Sequence, residues 1–324
     1  MPIWAQFIHL GFSLDQASVD FRALLISGSR GFSNYRHQAD VCHQYNLFTS
    51  AISATDVTLM MYDDVAWSER NPLLGRLFNY PNGENVYEGC VTDYRKEHVS
   101  LENFVFETNR LANLTSENTV TFISFVDHGQ PGYLLLPNGE QLDGETFVSN
   151  LFPLSDASTT SITLVYVEAC HAGSLFEGRV LPPRTLVVTA ANATESSWAA
   201  FCPSPSHPLA DYINGVHIGA CLGDLFSVAW VNDIENRLHR KSNASLGDHI
   251  ESVREIVATK SNVMVYGDVS LLNMKLLDIF PPLKEGYGAH ESVDESFMID
   301  SSQPQKCSEI FNFIPESVNT EIIM

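Results

Sequence analysis

The chain has 324 residues, of which 44% are hydrophobic, and a formal net charge of −21. This length and apolar content are sufficient for one large buried core and exclude a disordered composition. The negative charge repels nucleic-acid phosphates and anionic membrane surfaces, so nucleic acid is not an expected partner. No apolar run reaches the roughly 18 residues of a membrane span, so membrane insertion is not expected.

The N-terminal segment, residues 1–20, is apolar in part but has no basic region and no clear cleavage site. We interpret it as a weak signal or pro-segment. Six near-continuous apolar runs follow, each typical of a strand that is covered on both faces. They are residues 21–27, 56–62, 119–126, 161–169, 185–191 and 261–267.

Helical patterns occupy much of the sequence between these runs, at residues 34–51, 100–113, 141–152, 223–241 and 246–260. Strands that alternate with helices predict an α/β sandwich with a mainly parallel, six-stranded sheet. The Asn-, Pro- and Gly-rich stretch 66–98 predicts a long ordered loop or a small hairpin. We expect one domain over residues 21–284.

The last 40 residues, 285–324, hold eight carboxylates and a single lysine, Lys306. This composition predicts an acidic, flexible tail.

Two reactive side chains follow neighbouring predicted strands. The third apolar run leads into Asp127, His128 and Gly129, and the fourth ends at Glu168, Ala169 and Cys170. The carboxyl ends of adjacent parallel strands share one edge of the sheet, so we expect His128 and Cys170 to lie close together. A cysteine at a strand end is more often core packing, but its pairing with a histidine favours a nucleophilic thiolate with a nearby base. The N–H groups of Gly129 and Cys170 are candidate oxyanion donors.

A set of short sequence motifs points to one protein family. In order along the chain they read NYRHQAD (34–40), MMYDD (60–64), NPLLGRLFNYPNG (71–83), VDHG (126–129), EAC (168–170), AAN with ESS (190–197) and CLGDLFSVAW (221–230). Together they resemble the legumain family, the asparaginyl endopeptidases of the caspase-like clan of cysteine peptidases. The resemblance covers about residues 21–280 and implies a caspase-like three-layer sandwich.

The resemblance assigns expected roles to the matching positions. Cys170 matches the nucleophile, His128 the general acid and base, and Asn34 the residue that orients the histidine, while Gly129 lies beside the oxyanion hole. The pocket for an asparagine side chain maps to Arg36, His37, Glu168, Ser196 and Asp224. Asp127 matches an aspartate that cyclises to a succinimide in relatives. A Cys202–Cys221 disulfide is implied, whereas Cys42 and Cys90 are expected to be unpaired. No metal or organic cofactor is implied.

The expected pocket also makes chemical sense. A carboxamide has a donor end and an acceptor end, and Arg36 opposite Glu168 and Asp224 offers partners for both. An aspartate substrate should fit only when it is protonated, at acidic pH. Without the resemblance, an Arg36–Asp224 pair would be read as a structural salt bridge and His37 as a core or surface histidine. A zinc site at His37, Cys42 and His43 is disfavoured by its spacing.

Some features depart from the family pattern. His171 and Ala172 replace the usual acidic residue and serine after the nucleophile. His171 could add positive charge near the thiolate or alter the preference on the primed side, and simple solvent exposure is the alternative. It is not expected to be the base, because its position next to Cys170 directs its side chain away. The family's C-terminal helical prodomain is not expected here, and the acidic tail is a candidate reduced substitute, with Asn312 and Asn319 as candidate self-cleavage points.

The resemblance implies peptide and protein substrates, cleavage after asparagine, peptide ligase or transpeptidase activity, cystatin-type inhibitors, and a lysosome- or vacuole-like compartment or secretion. The oligomeric state is left open. The alternatives are a subunit like the catalytic one of the GPI-anchor transamidase, an aspartate-specific caspase-type enzyme, and an inactive peptide-binding relative. Intact Cys170 and His128 argue against the last.

Overall fold

The computed structural model describes residues 19–52, 54–155 and 160–284, and the backbone of residues 303–304. A six-stranded sheet lies at its centre, with the order β6-β5-β4-β3-β1-β2. All neighbouring strands in it are parallel except β6, which pairs antiparallel with β5. The strands are β1 (Asp20–Ser27), β2 (Asp56–Met60), β3 (Thr119–Val126), β4 (Ile162–Glu168), β5 (Thr185–Thr189) and β6 (Met264–Gly267).

Helices cover both faces of this sheet. They are α1 (Tyr35–Asn46), continued by a π-helical segment (Leu47–Ala51), α2 (Leu101–Leu114), α3 (Gly144–Leu151), α4 (Leu225–His239), α5 (Leu246–Val257) and the short α6 (Leu276–Ile279). The predicted α/β sandwich with a mainly parallel, six-stranded sheet is therefore confirmed.

Alternating side chains of the strands build two separate cores. In β3, Phe122 points into the core under α1, α4 and α5, whereas Ile123 points into the core under α2 and α3. Every residue of β3 and β4 is buried. This explains why the strands read as continuous apolar runs, since both faces of a central parallel strand are covered.

Shorter elements surround the sheet edge where β3 and β4 end. A three-stranded antiparallel sheet is formed by Gly129–Gln130, Tyr133–Leu135 and Gln141–Asp143. A second joins Gly223–Asp224, Trp198–Ala200 and Gln303–Pro304. A two-stranded ribbon pairs Tyr212–Ile213 with Val216–His217. Single 3-10 turns lie at Phe32–Asn34, Lys96–His98, Phe152–Leu154, Ala172–Leu175 and Val269–Asn273.

The stretch 66–98 is an ordered loop, not a hairpin: it contains one 3-10 turn and a bridge from Tyr94 to Met60. A disulfide between Cys42 in α1 and Cys90 holds the loop to the sandwich. The prediction that these two cysteines are unpaired is wrong. Next to the disulfide, the Asn46 side chain donates to the carbonyl oxygens of Val86 and Glu88 and brings the loop onto the helix.

Cys202 and Cys221 form a second disulfide, the pairing that the resemblance implies. Most of the expected N-terminal segment (1–20) and of the acidic tail (285–324) lies outside the described residues, as do Asn312 and Asn319, and the domain limits remain predictions. Among the described helices, none has the length and apolar character that a membrane crossing requires.

Candidate active site

The ends of β3 and β4 bring His128 and Cys170 to one edge of the sheet. Val126 is in register with Glu168, and the Asp127 N–H donates to the Glu168 carbonyl oxygen at 3.0 Å. His128 and Cys170 therefore each lie two residues beyond a paired position. A Cβ atom at Gly129 would lie 2.0 Å from the Cys170 carbonyl oxygen. Only glycine fits there, so the two chain segments are in direct backbone contact.

The His128 ring is held from one side. Its Nε2 lies 2.9 Å from Asn34 Oδ1, and the Asn34 amide nitrogen donates to the Arg30 carbonyl oxygen at 2.9 Å. That second bond sets the amide orientation, so Nε2 is the protonated nitrogen of a neutral ring. Its Nδ1 is buried and has no hydrogen-bond partner among the described residues. Burial and the Arg36 charge lower the pKa of His128 to about 3, so Nδ1 is a free acceptor over a wide pH range.

Cys170 is fully buried, and its sulfur is part of a disulfide in this structure. A disulfide sulfur cannot act as a thiolate, so the nucleophile that the sequence predicts requires prior reduction. A helix that began directly after Cys170 would stabilise its thiolate. The structure has only the four-residue 3-10 turn Ala172–Leu175, and a turn of this length provides little helix dipole.

His171 adopts a left-handed conformation, with φ of 56°. Its N–H donates to the Glu195 carbonyl oxygen at 2.8 Å, and its Nδ1 lies 3.3 Å from the Ala193 carbonyl oxygen. The side chain is half-buried. His171 is therefore not simply solvent-exposed: it links the segment after Cys170 to the loop 193–195.

The predicted pocket residues converge around one ion pair. Arg36 Nε donates to Asp224 Oδ1 at 2.8 Å, and both side chains are almost fully buried. Glu168, 1% exposed, accepts a hydrogen bond from the Ser227 N–H at 3.0 Å. Burial raises the pKa of Glu168 well above its usual value, and the nearby Asp224 charge raises it further.

Asp40 is a further acidic group at this pocket to which the sequence assigns no role. It accepts from the Asn79 amide at 2.6 Å and from the Asp224 N–H at 3.1 Å. Burial, followed by Asp224, raises its pKa well above the usual value. Asp40, Glu168 and Asp224 are thus three buried carboxyl groups that influence one another, and Asp224 among them pairs with Arg36. Burial and the Asp224 charge favour the protonated forms of Asp40 and Glu168. The motif NYRHQAD contains Asp40, so an acid one helical turn beyond Arg36 is the signal that could have revealed it.

His37 lies next to His128. Its Nδ1 is 2.6 Å from the Ser29 hydroxyl and 3.5 Å from Asp127 Oδ1, and its ring meets that of His128 edge to face at 5.0 Å. Its pKa is well below the usual value, mainly because of burial and then because of the Arg36 and His128 charges. Burial also raises the pKa of Asp127.

His37, Asp127 and His128 are the one group among the described residues whose ligand atoms are close enough for a metal ion, within 4.8 Å of one another. Ser29 and Asn34 each lie within hydrogen-bonding distance of one nitrogen on these rings, whereas His37 Nε2, His128 Nδ1 and Asp127 Oδ1 have no hydrogen-bond partner among the described residues. The zinc trio is not assembled, since Cys42 is disulfide-bonded and His43 Nδ1 lies 2.8 Å from Asn79 Oδ1.

Ser196 is half-buried in the loop that leads into the strand Trp198–Ala200. This strand pairs antiparallel with Gly223–Asp224, so that Asp224 lies opposite Ala199. The pocket and this strand are thus built on the same small sheet.

The chain is similar to known proteins over most of its length. Residues 22–283 match the model of the Peptidase C13 family. The chain is 37% identical over 277 residues to the vacuolar-processing enzyme of Glycine max, covering 78% of this chain and 54% of that protein. It is 35% identical to the vacuolar-processing enzyme delta-isozyme of Arabidopsis thaliana, covering 77% and 56%.

A crystal structure of Caspase-1 from Spodoptera frugiperda is similar with a TM-score of 0.46 and 11% identity, covering 77% of this chain and 86% of that one. This likeness is too weak to carry an argument. The chain spans about half the length of the curated relatives it matches. The matched range takes in every site residue described above, and the chain belongs to the Peptidase C13 family.

Proposed function

We propose that the chain is a cysteine endopeptidase that cleaves peptide bonds after asparagine. The observation that supports this proposal is the half-buried His128, with Asn34 Oδ1 at Nε2 and no partner at Nδ1 among the described residues, on the sheet edge where Cys170 lies. In the reduced enzyme, neutral His128 accepts the proton of the Cys170 thiol as the sulfur attacks the substrate carbonyl, passes that proton to the leaving amine, and then takes a proton from the water that attacks the acyl-enzyme.

The oxyanion would lie between the N–H groups of Gly129 and Cys170. Gln130 and Tyr133 flank a two-residue turn and form its hydrogen-bonded pair, so Gly129 and Leu134 form a non-hydrogen-bonded pair. The Gly129 N–H therefore points away from its hairpin partner and is available to an oxyanion.

The pocket supports a carboxamide substrate. The Arg36 guanidinium and a protonated Glu168 donate to the amide oxygen, and Asp224 accepts from the amide nitrogen. An ionised aspartate would meet the Asp224 charge, so we expect cleavage after aspartate to rise as pH falls toward about 4, the usual pKa of that side chain. Ser196 and His37 shape the pocket wall.

Further aspects of the proposal come from the relatives. Their names describe vacuolar processing, and we propose an acidic, vacuole- or lysosome-like compartment for this chain. An amine that intercepts the acyl-enzyme in place of water would give a ligated peptide. Burial raises the pKa of the Asp127 carboxyl, which favours the protonated form that succinimide formation requires. Cystatin-type proteins are candidate inhibitors.

The test is hydrolysis of peptides that differ only in Asn, Gln or Asp before the scissile bond, with a thiol reductant, from pH 4 to 8. We expect wild-type protein to cleave the Asn peptide, to reject Gln, and to cleave Asp only at acidic pH. Cys170→Ala should be inactive throughout. A fully reduced wild-type protein with no activity on the Asn peptide would refute the proposal.

A further inference from the structure

A hairpin, residues 129–135, carries Gly129, whose N–H is one of the two proposed oxyanion donors. The other donor, the N–H of Cys170, lies in a separate segment, residues 170–175, here called the nucleophile turn. The donors of an oxyanion hole are effective when they are aimed in advance at the place where negative charge develops. The proposed reaction therefore requires that the hairpin and the nucleophile turn are held in one fixed relative position.

The first contact between these two segments lies at the base of the hairpin. A Cβ atom at Gly129 would lie 2.0 Å from the Cys170 carbonyl oxygen, so the two backbones touch there. A single point of contact fixes a distance, but it does not fix the angle of the hairpin. A rotation of the hairpin about this point would turn the Gly129 N–H away from the oxyanion.

A second contact lies at the tip of the hairpin, and one serine side chain makes it. The Gly132 N–H donates to Ser174 Oγ at 2.8 Å. The same hydroxyl donates to the His171 carbonyl oxygen at 2.6 Å. Ser174 thus uses its hydroxyl both as an acceptor and as a donor, and it bridges the hairpin tip to the residue that follows the nucleophile.

The bridge also holds a residue with an uncommon backbone conformation. His171 has a φ of 56°, and such left-handed residues other than glycine persist where the surrounding structure maintains them. Its carbonyl oxygen accepts from the Ser174 hydroxyl and, at 2.9 Å, from the Ser174 N–H. Its own N–H donates to the Glu195 carbonyl oxygen at 2.8 Å. These bonds fix the direction in which the chain leaves Cys170.

Both segments are also anchored elsewhere. The Gly132 carbonyl oxygen accepts at 3.0 Å from the N–H of Gly144, at the start of α3, so the hairpin tip is held from two sides. A Cβ atom at Gly173 would lie 2.5 Å from the hydroxyl of Tyr266 in β6, so the nucleophile turn packs closely against that strand. Ser174 therefore joins two segments that each have a fixed support.

We propose that Ser174 is a positioning residue for the oxyanion hole. Its hydroxyl locks the hairpin to the nucleophile turn, so that the N–H groups of Gly129 and Cys170 converge on one oxygen. The inference rests on the proposed function, because that reaction supplies the oxyanion. In this role Ser174 does not need to touch the substrate, since it acts through the backbone of Gly132 and His171.

This role affects the transition state more than the bound substrate. The carbonyl oxygen of a bound substrate interacts with the two donors less strongly than the oxyanion does, so misaligned donors raise the barrier more than they weaken binding. Complete loss of one oxyanion donor lowers kcat by about 10²–10³ in other enzymes. We expect a misaligned donor to lower kcat by at least about tenfold, with little change in KM.

The first test compares reduced wild type, Ser174→Ala and Ser174→Thr on the Asn peptide. Ser174→Ala should lose at least about tenfold in kcat and keep KM within about twofold of wild type, whereas Ser174→Thr keeps the hydroxyl and should recover most of kcat. Ser116→Ala is the matched control, because Ser116 is exposed and precedes β3, at the opposite end of that strand from the site. A wild-type kcat in Ser174→Ala, or a loss confined to KM, would overturn the proposal.

The second test measures the oxyanion hole through a reversible inhibitor. The Cys170 sulfur adds to the carbonyl carbon of a peptide methyl ketone with an asparagine side chain, the C=O double bond becomes single, and its oxygen carries the negative charge or the thiol proton. The matching alcohol has no carbonyl to attack and binds through the pocket alone. Ser174→Ala should bind the ketone at least about tenfold more weakly and the alcohol as tightly as wild type. An equal loss for both inhibitors would mean that Ser174 shapes the pocket, contrary to the proposal.

Hydrogen–deuterium exchange tests the bridge without any need for activity. In Ser174→Ala the Gly132 amide loses its acceptor, so the peptide that contains it should exchange faster than in wild type, Ser174→Thr and Ser116→Ala. Unchanged exchange would refute the bridge even in an active enzyme. If reduced wild type does not cleave the Asn peptide, the proposed function fails and the role of Ser174 fails with it. Full activity of both wild type and Ser174→Ala would refute the role of Ser174 alone.

Discussion

The buried Asp40 carboxyl predicts a specific pH dependence of stability. Its pKa is raised in the folded protein, mainly by burial, so the folded state holds this proton more tightly than the unfolded chain. The resulting stabilisation is fully present below the unfolded pKa of about 4 and is lost as pH rises toward the folded pKa. In that window one proton changes the free energy of unfolding by about 1.4 kcal/mol per pH unit.

Asp40→Asn removes this titration and keeps the side-chain shape. An amide oxygen can still accept from Asn79, which lies 2.6 Å away in the native protein. Relative to wild type, the variant should therefore become more stable by up to about 1.4 kcal/mol for each pH unit above pH 4, until the folded pKa is passed. At pH 4 the two proteins should differ little.

The measurement is urea unfolding of both proteins at pH 4, 5, 6 and 7, with the midpoint and slope fitted at each pH. The exposed Glu117→Gln is the matched control, and its stability should follow that of wild type. A constant difference between Asp40→Asn and wild type across this range would refute the reasoning, since it would mean that Asp40 does not hold a proton in the folded state.

Three further outcomes are expected. Asn34→Ala should lower kcat by about tenfold with little change in KM, because it frees the His128 ring without touching substrate; an unchanged kcat would contradict that role. Gly129→Ala should cost more than about 2 kcal/mol of stability, measured by urea unfolding, since its Cβ would lie 2.0 Å from the Cys170 carbonyl oxygen. Cys90→Ser should cost up to about 4 kcal/mol in the same assay without reductant, because the lost disulfide spans 48 residues.

The six central strands could be predicted because their burial on both faces leaves a continuous apolar run, as in Thr119–Val126. The juxtaposition of His128 and Cys170 followed from the parallel order of two of these strands. Both predictions rest on patterns within short segments of the sequence, and the pairing of the strands then brings those segments together.

Other features lay beyond such patterns. The hairpin that begins at Gly129 has strands of two and three residues, too short for any alternation to be visible. The Cys42–Cys90 disulfide joins a helix to a loop 48 residues away, and no spacing rule pairs them. Asp40 escaped notice because nearly all of α1 is buried, so the helix has no polar face against which a buried acid would stand out.

One helix supplies much of the site. Asn34 at the start of α1 holds His128, Arg36 and His37 lie in its first turn, and Asp40 follows one turn later. The Cys42–Cys90 disulfide then fastens the same helix to a surface loop. If the proposed function holds, a tilt of α1 would move the support of His128 and the pocket residues together. Substitutions in the loop near residue 90 should then change kcat and substrate preference at the same time.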